Sequence, residues 1–295
     1  QPLHLSALAA SNVSATLSSL SPLVSITGAN ASYANIAPQA AVANIGEPFV
    51  VKVFPQAPCG SAILFELITT SSLGVRTARF SLRVGSRGSE GAALTYSDAP
   101  NLAIPVSSLD GVSSDMNIVD DFEIADLNFR IDSLTHPVTG HLSVLLRAPN
   151  GYGTDLIFKR GGFMVPNQGG GENLSGVVID DDLPISASED LNQSLSTQAP
   201  FTGDWLPAFN GPFWNTYRPT PPTPPADVSR DALGQLARLD GSSKGRWTIN
   251  VANGSNTLSG TLQAWSLLIK PRNFTCQIFI PSDAIFVHGF EAGTP

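Results

Sequence analysis

Alternation of apolar and polar residues at every second position constrains this chain more than anything else in it. Phe80-Ser81-Leu82-Arg83-Val84 sets three apolar side chains on one face, and Leu127-Asn128-Phe129-Arg130-Ile131-Asp132 repeats the pattern. So do Trp247-Thr248-Ile249-Asn250-Val251 and Trp265-Ser266-Leu267-Leu268-Ile269. Successive strand side chains point to opposite faces, so this period belongs to sheets with one face on a core and the other in water. Phe49 to Phe54, Ile63 to Ile68 and Leu142 to Leu146 are more continuously apolar and read as sandwich-core strands. Gly (26) and Pro (23) are frequent among the 295 residues, bound most of these runs, and leave little room for long helices. Many short strands between turn signals predict an all-β protein built from β-sandwiches. One helix is predicted, capped by Asp227 or Ser229, striped by Leu233, Leu236 and Ala237, and closed by Gly241.

Charge narrows the partners. Lys and Arg number 16 against 24 Asp and Glu, a net charge of -8. Nucleic-acid binding is largely phosphate neutralisation, so an acidic chain is unsuited to it, as it is to anionic membrane. No membrane span is expected. The length points to two domains. Gly85-Ser86-Arg87-Gly88-Ser89-Glu90-Gly91 has linker composition. The expected division is a sandwich at 1–86, a linker at 87–95, a larger sandwich at 96–271 and a C-terminal tail at 272–295. A Pro-rich insertion, near 207–228, favours polyproline II and is incompatible with a central strand.

Cys59 and Cys276 are the two cysteines, and neither lies in a CxxC pair. A disulfide between them and two isolated thiols are both open on sequence. Gln1-Pro2-Leu3-His4 has no basic leader, so the chain is read as starting after processing or as cut from a longer precursor. Few lysines, abundant Ser, Thr, Asn and Gly, and short strand-like runs point to a secreted, extracellular protein. Triplets such as Asn12-Val13-Ser14 and Asn273-Phe274-Thr275 fit glycosylation acceptors, but a chain this rich in Asn, Ser and Thr makes them by chance.

Ordered blocks in the second half carry a family resemblance. They run from Tyr96-Ser97-Asp98 and Leu102-Ala103-Ile104-Pro105 through Leu134-Thr135-His136, Gly140 to Leu146, Ala148-Pro149-Asn150-Gly151, Ile179-Asp180-Asp181 and Pro200-Phe201-Thr202-Gly203. They end on Gly245-Arg246-Trp247-Thr248 and Gly260-Thr261-Leu262-Gln263-Ala264-Trp265-Ser266. In these blocks the chain resembles the P domain (Homo B domain) of proprotein convertases and bacterial secreted proteases. The resemblance implies a jelly-roll β-sandwich that docks on and stabilises a protease catalytic domain. Three departures stand out: Val106 where an acidic residue commonly follows Ile-Pro, His141 where Gly-Asp-Leu is usual, and the Pro-rich insertion between Gly203 and Gly245. The first two remove oxygens that a calcium ion would use. Residues 1–86 resemble the Ig-like modules of bacterial secreted proteins, through Val13 to Leu17, Tyr33 to Pro38, Pro48-Phe49 and Cys59-Gly60. Ile285 to Glu291 resembles a C-terminal signature of secreted proteobacterial proteins.

Gly241-Ser242-Ser243-Lys244-Gly245 matches G-x-S-x-G, but a nucleophile elbow runs strand, turn, helix, and here the predicted order is reversed. His4, His136, His141 and His288 begin no HExxH, and Gly169-Gly170-Gly171 lacks the Lys of a phosphate loop. His136 is expected as a hydrogen-bonded turn residue and His141 at the surface. No catalytic residue is assigned. The carboxylates are more informative. Asp180, Asp181 and Asp182 adjoin in one loop, where either water solvates them or a structural calcium binds them. Trp205, Trp214 and Tyr217, in and beside the Pro-rich insertion, either pin that loop to the sandwich or grip a partner. Two functional readings follow. The first is a non-catalytic accessory region of a secreted protease or exported protein, partnered in cis or trans by a protease catalytic domain. The second is a free-standing adhesion or ligand-binding protein whose partner is an extracellular protein or carbohydrate.

Overall fold

The computed structural model describes residues 8–44, 46, 48–108, 110–151, 153–158, 171–183, 191, 199–207 and 241–276. These residues form seventeen strands and one 3₁₀ turn, so the all-β expectation holds. The chain divides into two compact units. The first comprises the described residues of Gln1–Gly88 and Asn273–Pro295, and the second those of Ser89–Arg272. The second is therefore inserted in the sequence of the first.

The first unit holds β1 (Val13–Ser19), β2 (Val24–Gly28), β3 (Asn30–Tyr33), β4 (Val50–Val53), β5 (Ala62–Ser71) and β6 (Gly74–Arg83). A four-stranded antiparallel sheet has the order β3-β1-β5-β6, and β2 pairs with β4. Along β1 the alternation predicted for strands is complete: Val13, Ala15 and Leu17 are buried, and the residues between them are exposed. Two small clusters make the core. Ala10, Val13 and Ile36 form one; Leu17, Ile63 and Phe65 form the other, with Phe80 stacked on Phe65 at 5.6 Å. A core this small benefits from a covalent staple, and one is present. Cys59 is bonded to Cys276 across a sequence separation of 217. Gly85, at φ +103°, lies beneath it, where an added Cβ would stand 2.6 Å from the Cys276 sulfur.

The second unit is a thicker two-sheet body. Its strands continue as β7 (Ser86–Glu90), β8 (Leu94–Asp98), β9 (Leu102–Ile104), β10 (Val112–Ile118), β11 (Ile124–Thr135), β12 (Leu142–Arg147), β13 (Gly153–Phe158), β14 (Leu174–Ile179), β15 (Phe201–Trp205), β16 (Gly245–Asn253) and β17 (Gly260–Thr275). One sheet has the order β10-β16-β12-β13. The other has β15-β14-β11-β17-β7, with β8 and β9 also paired to β17. Side chains from both sheets fill one continuous core that includes Phe129, Phe201, Trp247 and Trp265. Trp247 and Trp265 come from opposite sheets, and each is fully buried. A buried indole needs an acceptor. Trp247 Nε1 donates to the Ser243 carbonyl at 2.8 Å. Trp265 Nε1 donates to Ser114 Oγ at 3.1 Å, and Ser114 donates in turn to Asp98 Oδ2 at 2.6 Å. Ser114 lies on one sheet and Asp98 on the other, so this chain of bonds ties the two layers together.

Several expectations need correction. The Gly-Ser stretch read as a linker over 87–95 is mostly strand, since β7 covers 86–90 and β8 begins at Leu94. Glycine there serves close approach rather than freedom: a Cβ on Gly88 would meet the Asn273 carbonyl at 3.3 Å. The tail read from 272 begins inside β17, and Cys276 is bonded; residues 277–295 lie outside the described residues. Ile63 to Ile68 is not a continuous buried run, for Leu64 is 52% exposed and Ile68 37%. In the Phe49 to Phe54 run, Val53 is likewise exposed. Leu64 and Ile68 share the outer face of β5, which no layer covers among the described residues, whereas Val53 stands at the exposed end of β4 on the face that carries Val51. The predicted helix at 227–241 and the Pro-rich run fall almost wholly outside the described residues.

Candidate functional site

The Asp180-Asp181-Asp182 loop leaves the end of β14, which lies between β11 and β15. Asp180 N donates to the Trp205 carbonyl at 3.0 Å, fixing the loop to β15. Asp180 Oδ1 accepts from Asp182 N at 2.8 Å, a local turn bond. Asp181 is buried, and Asp182 is exposed. The flanking strands bring more carboxylates, Asp126 on β11 and Asp204 on β15. Burial pushes the Asp180 carboxyl above its ordinary pKa. The charges of Asp126, Asp182 and Asp204 push it the same way, while the Asp182 N–H pulls it back. One cation answers part of this field: Lys270 Nζ lies 2.8 Å from Asp126 and 3.3 Å from Glu90. The hydrogen bond to Asp126 leads in raising the Lys270 pKa to about 12. Among the described residues no group of three or more His, Cys, Asp or Glu side chains is arranged to hold a metal ion. The sequence motif therefore marks a concentration of negative charge.

Trp205 is half-buried and packs on the core of the second unit, edge-on to Phe201 at 6.4 Å. Its Nε1 donates to the Thr202 carbonyl at 2.9 Å, which uses up its polar end. Packing thus accounts for Trp205. Trp214 and Tyr217 lie outside the described residues.

His136 is the least expected of the buried polar groups. It follows β11 and is only 1% exposed. Its backbone N–H donates to Asn173 Oδ1 at 3.0 Å, and its Nδ1 accepts from Val138 N at 3.0 Å. In the neutral ring the proton then sits on Nε2, which faces Leu258 and Asn253 without reaching hydrogen-bond geometry. Burial, the largest influence, holds the imidazole pKa below its ordinary value. The ring meets His141 edge-on at 6.1 Å. Only glycine fits alongside, because a Cβ on Gly260 would stand 2.5 Å from the Thr135 carbonyl and 2.8 Å from His136 Cδ2. Outside this knot lies an open depression of about 430 Å³, lined by His136 with Thr135, Glu172, Asn173, Ser259 and Thr261 among others. Hydroxyl, amide and carboxylate groups on one rim suit hydrogen bonding to a polar ligand. As a general base His136 is badly placed, with one nitrogen accepting from the backbone and the other protonated. Sequence reading singled out His136 but not Glu172 or Asn173. The signal available in the sequence was an asparagine just after a glycine run, a residue type that tolerates the αL backbone Asn173 adopts (φ 60°).

Ser243 of the G-x-S-x-G stretch is fully buried. Its hydroxyl donates to the Asp120 carbonyl at 2.7 Å and accepts from Phe122 N at 3.1 Å. Strand β16 follows directly, so the segment clamps the 120–122 loop beneath Trp247 and has no helix after it. Among the described residues no helix is long and apolar enough to cross a membrane.

No protein-family model and no curated protein matches the chain. The P-domain resemblance therefore rests on the motif blocks alone. Among solved structures the chain is similar to the serine protease of Aeromonas sobria, with a TM-score of 0.31 and 14% identity, covering 72% of this chain and 37% of that one. It is also similar to a structure of the Aeromonas sobria serine protease and chaperone complex, with a TM-score of 0.30 and 14% identity, covering 71% of this chain and 36% of that one. The chain spans a little over a third of the length of these structures. A likeness this loose decides neither fold nor function.

Proposed function

We propose that this chain is a non-catalytic accessory region of a secreted protease or exported protein, whose second unit supports a catalytic domain or partner. One observation carries the reading. Ser243, the serine of the one motif suggestive of a nucleophile, spends both hydrogen-bonding functions of its hydroxyl on backbone groups beneath a buried tryptophan. The engagement of His136 Nδ1 by the backbone supports it in the same way. Within this reading the Asp180-Asp181-Asp182 loop has a structural role, and calcium is the cation it would take. The carboxylate charges gathered around Asp180 support that, and a rise in melting temperature at millimolar calcium would test it.

The activity test uses the purified chain with a fluorescent protein substrate and a broad serine-hydrolase probe. No turnover and no labelling are expected. Turnover abolished by Ser243→Ala in a chain that still folds would overturn the reading. Where the encoding reading frame also specifies a peptidase domain, that peptidase should lose activity on heating more slowly with this chain attached. The alternative, a free-standing adhesion or ligand-binding protein, draws on the polar depression beside His136. Saturable binding of an oligosaccharide, lost in Glu172→Gln, would favour it.

A further inference from the structure

Charge is divided unevenly along the chain. Residues 1–88 carry five basic residues (Lys52, Arg76, Arg79, Arg83 and Arg87) and two acidic ones (Glu47 and Glu66), a balance of +3. The remaining residues carry eleven basic against twenty-two acidic, a balance of -11. Three of the five basic residues of the first stretch stand on β6, Gly-Val-Arg-Thr-Ala-Arg-Phe-Ser-Leu-Arg, which has no acidic residue and no proline.

β6 is also an edge. Its ten residues pair with β5 and, among the described residues, with no other strand. The opposite edge of that sheet, β3, is only four residues long, and bridges to Asn44 and between Ala10 and Ile36 continue the pairing around it. Residues 74–79 of β6 are exposed on both faces. Val75 is 57% exposed and Leu82 45%. Arg79 pairs with Glu66 on β5 at 2.8 Å, Arg83 donates to the Gly60 carbonyl at 3.1 Å, and Arg76 donates to the carbonyl of its own neighbour Val75 at 3.2 Å.

A long, proline-free, exposed edge is a template for another strand. Like charges along it discourage a second copy, because antiparallel β6 against β6 in full overlap brings Arg76 of each copy diagonally across from Arg79 and Arg83 of the other, within reach of long side chains. The same charges favour an acidic strand. From this edge and its charge we infer that β6 takes an added strand from an extended, acidic segment of another polypeptide. Backbone hydrogen bonds supply the attachment, and Arg76, Arg79 and Arg83 select for the acidic sequence. This does not rest on the accessory reading, for a free-standing adhesion protein could use the edge equally.

The test uses the full chain with its disulfide intact and ten-residue peptides of three kinds, each capped at both ends. One alternates Glu and Thr, one alternates Lys and Thr, and one is the Glu-Thr peptide N-methylated at every second residue, prepared in both registers. Binding is read by fluorescence anisotropy. The Glu-Thr peptide should bind, the Lys-Thr peptide should not, and N-methylation in one register should weaken binding at least tenfold. Arg76→Glu with Arg83→Glu should abolish binding. Should that variant melt early, Arg76→Gln alone should weaken binding severalfold. Equal binding of both N-methylated peptides would reduce the effect to charge attraction and overturn the inference. So would equal binding of the Lys-Thr peptide, absence of binding by the Glu-Thr peptide, or self-association of the chain abolished by the β6 variants.

Discussion

Two apolar runs of similar composition have different fates in the two units. Leu142 to Leu146, on β12 of the second unit, is buried at every position. Ile63 to Ile68, on β5 of the first, alternates, with Ile63 and Phe65 inside and Leu64 and Ile68 out. The difference is in what covers the strand. Leu142, Val144 and Leu146 of β12 enter the core shared by the two sheets, and Ser143 and Leu145, on the opposite face, are buried outside that core, whereas among the described residues no layer covers Leu64 and Ile68 on the outer face of β5. A core residue is made by its neighbours as much as by its own hydrophobicity. The second unit can rest on its interior alone, while the first leans on a covalent bond.

The largest expected effect lies in that bond. Closing so long a loop restricts the unfolded chain, and the loop-entropy argument puts the stabilisation at about 5 kcal/mol. Reduction, or Cys276→Ser, should therefore lower or abolish the first unit's thermal transition and leave the second unit's nearly in place. Differential scanning calorimetry with and without reductant checks this, and a common shift of both transitions would break the comparison.

Next come the tryptophans. Trp247→Ala and Trp265→Ala should each cost about 3–5 kcal/mol, as deletions of large buried aromatics do. Trp265→Ala additionally strips Ser114 of its indole donor. Urea midpoints for the second unit would show the loss; a change under about 1 kcal/mol would mean that the two-layer core is not cooperative.

A sharper contrast needs only leucine. Leu146→Ala should cost about 2–5 kcal/mol, whereas Leu64→Ala should stay within about 0.5 kcal/mol, since one is buried and the other is 52% exposed. Equal losses would mean that the outer face of β5 is covered in solution.

The smallest effects come from pH and should sit in the second unit. Burial lowers the His136 pKa, so the unfolded state binds that proton more readily. Stability should then fall as pH drops below about 6.5, and His136→Gln should flatten the slope. Asp180 has the opposite sign. Its raised pKa means that stability present below about pH 4 is lost as pH rises through the folded value. Asp180→Asn should accordingly raise the urea midpoint at pH 7, with the gain shrinking toward pH 4.

Strand positions were legible because β1, β16, the Leu127 to Ile131 stretch of β11 and the Trp265 to Ile269 stretch of β17 place apolar residues at every second position, and alternation is a property of the chain itself. Both indoles could be assigned to the interior for that reason, although nothing local reveals that Trp265 reaches a serine on the facing sheet. Burial along β5 could not be read, since what covers its outer face is not encoded in that segment. Gly88 misled because glycine marks close backbone approach as readily as freedom, and only the strand carrying Asn273 distinguishes the two. Asp180-Asp181-Asp182 advertised charge by adjacency, but Asp126 and Asp204 arrive through the pairing of β11, β14 and β15. The His136 depression was hidden for the same reason, being assembled from three separated segments.

The claim that a stapled first unit flanks a self-sufficient second one is tested most directly by residue-resolved hydrogen exchange with the disulfide intact and then reduced. Reduction should strip protection from the amides of β1 and β5 and leave those of β11 and β16 and the Leu262 to Ile269 stretch of β17 unchanged. Loss of protection in both sets together, or in neither, would contradict it.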